Sequence, residues 1–156
     1  MKSICATVLA LLAGSVLAEA DPWEGMNRKI HAFNETADRL VLKPVAKGYT
    51  KLPRPVRRGV GNFFTNLKHP GIILNQFLQG KPKNGFSDTG RFLVNSTIGI
   101  GGLFDPATAM GLASHEEDFA QTFAKWGAGQ GRYLVLPLWG PSSVRGAVGA
   151  LFDSFV

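Results

Sequence analysis

The sequence has 156 residues, 45% hydrophobic and 18% charged, with a formal net charge of +6. That allows one folding unit, too apolar for a disordered chain and poor in charge for an ordinary soluble surface. Its single cysteine, Cys5, excludes disulfide and cysteine-ligated metal chemistry from everything after it.

Met1, Lys2 and Ser3 place one positive charge before an apolar run from Ile4 to Leu17 that closes on small residues, the layout of a secretory signal. Val16-Leu17-Ala18 offers the small-x-small cleavage pattern, so residues 1–18 are assigned to a signal peptide and residues 19–156 to the mature domain; cleavage after Ala20 is the second option. The run is shorter than the roughly 20 apolar residues of a membrane-crossing helix. Glu19, not a cysteine, follows Leu17-Ala18, so the lipobox of a bacterial lipoprotein is missing. Lysine and arginine crowd between Arg28 and Arg91, opposed only by Glu35, Asp38 and Asp88. A basic half of this kind fits nucleic acid, anionic lipid headgroups or plain solvent. Export makes nucleic acid the weakest of these.

Asp21-Pro22-Trp23-Glu24 reads as a helix start with Asp21 as N-cap, followed by Met26, Ile30, Phe33, Ala37 and Leu40 in one apolar stripe. Asn27 and Asn34, seven residues apart, lie almost superposed on the same helix. Lys43-Pro44 begins a break, and Pro55 opens a second helix with Val56, Val60, Phe63, Phe64 and Leu67 on one face. His69-Pro70 is read as a turn. Ile72, Ile73, Leu74, Phe77 and Leu78 then form a short helix expected to be buried and closed by Gly80. After a turn at 81–85, a further helix runs from Phe86 to Thr97.

The stretch from Ile98 to Leu112 is apolar, rich in glycine and interrupted by Pro106, with no helical face. It suits an interface or a closely packed connection. Ser114 and Glu117 form a capping box for a helix carrying Phe119, Phe123 and Trp126. Residues 132–139 are extended ahead of Pro137. Ser142 or Ser143 caps a last helix with Val144, Val148, Leu151, Phe152 and Phe155, and the pattern stops without a closing cap, as in a truncated chain. The class is all-α, about six helical segments with Gly/Pro-rich connections, and no repeat.

No catalytic constellation emerges. His31, His69 and His115 occur in no metal-ligand spacing. Gly99-Ile100-Gly101-Gly102 fails the dinucleotide fingerprint, and no serine lies in a G-x-S-x-G elbow. Phe63, Phe64 and Trp23 follow helical stripes, which makes them core residues rather than a base-stacking platform.

Asp21-Pro22-Trp23-Glu24-Gly25-Met26-Asn27-Arg28, Phe77-Leu78-Gln79-Gly80, Arg91-Phe92-Leu93-Val94-Asn95-Ser96-Thr97-Ile98-Gly99 and Gly101-Gly102-Leu103-Phe104-Asp105 form an ordered series. Glu117-Asp118-Phe119, Trp126-Gly127, Tyr133-Leu134-Val135-Leu136-Pro137 and Gly140-Pro141-Ser142 continue it. The series resembles the MlaA/VacJ lipoprotein family over essentially the whole mature chain. The resemblance implies a ring-like helical protein in the inner leaflet of a bacterial outer membrane, facing the periplasm. Such a protein passes mislocalised phospholipids from the outer leaflet to a periplasmic lipid-binding protein, associates with a trimeric porin, and needs neither cofactor nor covalent chemistry. On that basis Asn27, Ile30, Phe33 and Asn34 are candidates for the lipid path or its gate. Ile98, Ile100, Leu103, Phe104, Met110 and Leu112 are candidates for membrane contact, and Arg91 and Arg132 for headgroup binding. The departures are the absent lipobox cysteine, Gly146 after Arg145 where the family commonly has an acid, and the missing C-terminal helical region. They leave a soluble periplasmic scaffold as the competing expectation.

Overall fold

A computed structural model describes residues 21–156. The assigned signal peptide and Cys5 lie outside the described residues.

Asp21 opens the fold as an Asx turn, its Oδ1 accepting from the Trp23 amide at 2.9 Å. Helix α1 spans Glu24–Ala37, passes through a widened π turn at Asp38–Leu42, and continues as α2, Lys43–Thr50. The expected break at Pro44 is absent. The Lys43 amide reaches back five residues to the Asp38 carbonyl. A proline, which has no amide to give, is thus taken into the first turn of α2 without ending the helix.

Helix α3, Arg54–Leu78, is continuous over 25 residues with Pro70 inside it. The sequence predicted two helices here. An interior proline forfeits one hydrogen bond and costs about 3 kcal/mol, and the packing of both halves of α3 against one partner offsets that cost. The partner is α4, Pro82–Thr97. Asn66 donates to Ser96 Oγ at 2.9 Å and Gln76 to Asp88 at 3.2 Å, fixing the antiparallel register of the hairpin. Gly80, at φ 72°, closes α3 as expected, with the Lys81 amide bonded to Gln76 O and the Gly80 amide to Phe77 O.

From Ile98 to Asp105 the chain coils tightly against the end of α4, with Ile100, Gly101 and Gly102 all at positive φ. A Cβ on Gly102 would run into the Asn66 side chain, so only glycine permits this approach to α3. A single turn, α5, covers Pro106–Ala109 with Asp105 as its cap. Helix α6, Phe119–Lys125, starts later than the Ser114/Glu117 box predicted, because Asp118 is the cap and accepts from the Gln121 amide at 2.7 Å. The extended segment is β1, Tyr133–Leu136, paired antiparallel with β2, Gly140–Ser143. Ser143 caps the final helix α7, Val144–Asp153.

What is buried is mostly polar. Ile72, Ala107, Phe119 and Val135 are the buried apolar side chains among the described residues, whereas Asn66, His69, Asn75, Gln76, Gln79, Asp88, Arg91, Asn95 and Thr122 are all buried. The apolar stripes face outward. Met26 and Phe33 of α1, Leu40 of the π turn, Phe63 and Phe64 of α3, and Leu74, Phe77 and Leu78 are exposed, which corrects the reading of these stripes as core. His69, expected in a turn, is wholly buried in mid-helix with Nδ1 2.8 Å from Thr65 O.

Candidate functional site

Polar residues step along α3 at helical intervals, at Asn62, Asn66, His69 and Gln76, and along α4 at Asp88, Arg91 and Asn95. The hairpin brings these stripes together, and α6 adds Thr122. Thr122 Oγ1 donates to Asn75 Oδ1 at 2.6 Å and accepts from Gln79 Nε2 at 3.0 Å. The same amide donates to Glu117 at 2.7 Å, and Lys81 pairs with the other Glu117 oxygen at 2.6 Å. Asp88, wholly buried, holds Gln76 on one side and His115 Nδ1 on the other, at 3.0 Å. Each satisfied bond contributes about 0.5–1.5 kcal/mol net, while an orphaned buried group costs about 1–3. A polar core is therefore stable only as a network, and this one locks α3, α4, α6 and the 114–118 segment together.

Beside the network opens a cleft of about 690 Å³. Leu67, Gly71 and Ile72 of α3, with Lys68 beside them, line one side; His115, Glu116, Asp118, Gln121, Asp153 and Val156 line the rest. Burial pushes the Asp153 carboxyl above its ordinary value and nearby Asp118 adds to this, against the hydrogen bond it accepts from the Phe119 amide. The cleft is thus acidic on one side, apolar on the other, and carries a single lysine.

The residues picked out from the sequence fall into different places. Arg91 is buried rather than at the surface: its Nη2 is 2.6 Å from Asp105, and its Nη1 donates to Leu112 O at 2.7 Å. Asn27 and Asn34 lie outside this cleft, where their side-chain amides tie α1 to the β1–β2 hairpin. Asn27 Oδ1 accepts from Val135 N at 2.8 Å and its Nδ2 donates to Asp21 at 2.7 Å. Asn34 accepts from Leu138 N at 2.7 Å and donates to Leu136 O at 2.9 Å. Ile30 is half-buried and Phe33 exposed on α1, away from the cleft. Ile98, Ile100, Leu103, Phe104 and Met110 are exposed together around the glycine-rich coil, with Leu112 half-buried. Arg132 is exposed, its guanidinium 5.9 Å from the centre of the Trp23 ring. Sequence reasoning missed the polar seam and the cleft. The signal was there in the helical spacing of the polar residues, which repeats as regularly as the apolar one.

Fold and site together define a class: a helical scaffold turned inside out, with hydrogen-bonded polar residues between its helices and apolar side chains on its surface. Helices packed in lipid rely on such polar and small-residue contacts, because burying apolar groups gains nothing there. No helix among the described residues is long and apolar enough to cross a membrane. The chain belongs to the MlaA lipoprotein family, whose model matches residues 19–156. It is 35% identical over 144 residues to "Intermembrane phospholipid transport system lipoprotein MlaA" of Escherichia coli (strain K12), covering 87% of this chain and 56% of that one. The protein of the same name from Haemophilus influenzae (strain ATCC 51907 / DSM 11121 / KW20 / Rd) is 33% identical over 138 residues, covering 86% and 55%. An uncharacterised protein of Rickettsia bellii (strain RML369-C) is 39% identical over 136 residues, covering 86% and 53%. The chain spans about half the length of these relatives. A solved structure from work on the "Structural basis for maintenance of bacterial outer membrane lipid asymmetry" superposes with a TM-score of 0.75 at 36% identity, over 88% of this chain and 72% of that one.

Proposed function

We propose that this chain is exported through residues 1–18 and sits on the periplasmic face of the outer membrane. There it takes mislocalised phospholipids from the outer leaflet and hands them to a periplasmic lipid-binding protein, alongside a trimeric porin. The observation that carries the reading is the inverted polarity. A chain whose α3 and α4 bury asparagine, glutamine, aspartate and arginine while exposing Phe64, Phe86 and Phe104 is stable where its exterior meets acyl chains. The relatives named for phospholipid transport and the solved structure concerned with lipid asymmetry support the same reading.

The cleft is the proposed lipid path. Its volume falls within the roughly 300–1,000 Å³ of small-molecule sites. One apolar wall and one polar wall suit a molecule with acyl chains and a zwitterionic headgroup. Transfer needs a continuous amphipathic surface and no bond is made or broken. Ile98, Ile100, Leu103, Phe104 and Met110 contribute membrane contact, and exposed Arg132 remains available for phosphate.

The test is to purify the chain from membranes in mild detergent and quantify co-purifying phospholipid by mass spectrometry. Leu67→Asp and Gly71→Leu, which alter the cleft, should lower bound lipid severalfold relative to wild type. The exterior change Phe86→Ser should not. A wild type that is water-soluble and free of lipid would sink the proposal and favour a periplasmic scaffold.

A further inference from the structure

The segment that joins α1 to α3 is the least supported part of the fold. Every residue from Arg39 to Val56 is exposed. The π turn and α2 pack chiefly on each other and on the end of α1, and one side-chain bond from Tyr49 Oη to Arg57 O at 3.0 Å ties them to α3. Nothing here is explained by packing. Yet α2 is sharply two-sided. Lys43, Lys47 and Lys51 follow at steps of four on one side; Val45, Tyr49 and Leu52 occupy the other, with exposed Leu40, Val41 and Leu42 just before them.

The charge on this arm is of one sign. From Arg39 to Arg58 there are seven cations and no acid. Lys43 is paired with Asp38 at 2.8 Å, whereas Arg39, Lys47, Lys51, Arg54 and Arg58 have no ion pair among the described residues. A short helix with an exposed apolar face and an unneutralised basic face matches a surface that offers hydrocarbon and negative charge side by side. A protein groove would need carboxylates matched to each lysine; a sheet of anionic phospholipid supplies both chemistries without any register.

We propose that the arm formed by Asp38–Leu42 and α2 lies in the plane of an anionic phospholipid surface, its apolar face among acyl chains and its lysines among phosphates, and so holds the protein to the membrane independently of the cleft. The bilayer setting is that of the function proposed above, but the arm requires no transport. It supplies a reversible, charge-dependent attachment. Lys43 remains engaged with Asp38, so the contribution comes from the free cations flanking it.

The arm can be watched directly. The full chain with Cys5→Ser and Val45→Cys carries one thiol, which is labelled with an environment-sensitive fluorophore and reconstituted into vesicles of phosphatidylcholine alone or mixed with phosphatidylglycerol. In the anionic vesicles the probe should move to shorter wavelength and become protected from a water-soluble quencher; high salt should reverse both changes. Arg39→Gln, Lys47→Gln and Lys51→Gln together should lower the ratio of protected to accessible probe on the order of a hundredfold, roughly fivefold per cation. Lys47→Arg with Lys51→Arg should retain it. Circular dichroism of each variant shows that the helices remain. Equal protection in both vesicles, unchanged by the glutamines, would overturn the proposal, because burial would then be independent of charge. A probe accessible in both would overturn it too and leave the face to a protein partner. Loss of co-purifying phospholipid with an intact arm signal would instead sink the cleft as a lipid path and leave the arm standing.

Discussion

Arg91 shows how much of this protein is held by charge placed where charge is expensive. Its side chain is 5% exposed and that of Asp105 27%, and the guanidinium bridges Asp105 to the carbonyl of Leu112. Removing one partner of a buried ion pair costs about 3–5 kcal/mol, because the other is left uncompensated. Arg91→Leu should therefore lower the free energy of unfolding in detergent by an amount of that order, and Arg91→Lys should recover only part of it, since an ammonium lacks the planar fork that serves two acceptors. Burial pushes the Asp105 carboxyl up, but hydrogen bonds from Thr108 and Asn95 and the charge of Arg91 outweigh it, so its pKa lies below the ordinary 3.8. A depressed folded pKa gives stability that is present above the unfolded value and is lost as the pH falls through the folded one. Thermal unfolding followed by circular dichroism should thus show wild type losing stability below about pH 4. Asp105→Asn should be less stable at neutral pH and flatter through that range. Read from the sequence, Arg91 is a headgroup candidate, and Asp105, fourteen positions further on, is not recognisable as its partner, because no local charge pattern links the two until the coil from Ile98 folds back.

At the scale of elements, two kinds of close contact replace an apolar core. One is the asparagine clamp between α1 and the β1–β2 pair, in which Asn27 and Asn34 together make three bonds to the backbone of residues 135–138. Asn34→Ala removes two of these at once and should cost about 1–3 kcal/mol, read as faster amide exchange at Leu138 with α3 and α4 unchanged. The other is the approach of α7 to α6, where a Cβ on Gly149 would clash with the backbone of Ala120. Gly149→Val should force these helices apart at about 1–3 kcal/mol, releasing Phe152 from Phe119 and Phe123, whose rings lie 5.5 Å from it. The helices themselves were legible from periodicity and punctuation: Pro55 and Gly80 bound α3 and its turn as expected. Pro44 and Pro70 misled, because local rules place a break at each. A widened turn before Pro44 and a shared packing partner across Pro70 are properties of longer-range structure that no local window contains.

For the whole molecule, the direction of burial decides which substitutions matter. In water, an apolar stripe on a helix points to the core, and reading Phe33, Phe63 and Phe64 that way was sound for a soluble fold. In a lipid setting the stripe points out and the polar stripe of the same period points in. The low charge fraction was the sequence's hint of this, since 18% leaves too little to cover a soluble surface. The consequence is a reversal of the usual mutational rule. Phe86 and Phe104, 70% and 61% exposed, should tolerate Ser with little change in the unfolding midpoint in detergent, while partitioning of the protein into vesicles weakens. Asn75→Leu makes the interior more apolar, yet it takes the acceptor from the buried Thr122 hydroxyl proton and removes the bond from Asn75 to Gly71 O, and should cost about 1–3 kcal/mol. Measuring both variants in one detergent separates the alternatives. If the serines unfold the protein and the leucine stabilises it, the apolar side chains are holding a conventional core together, and the exterior is not a membrane surface.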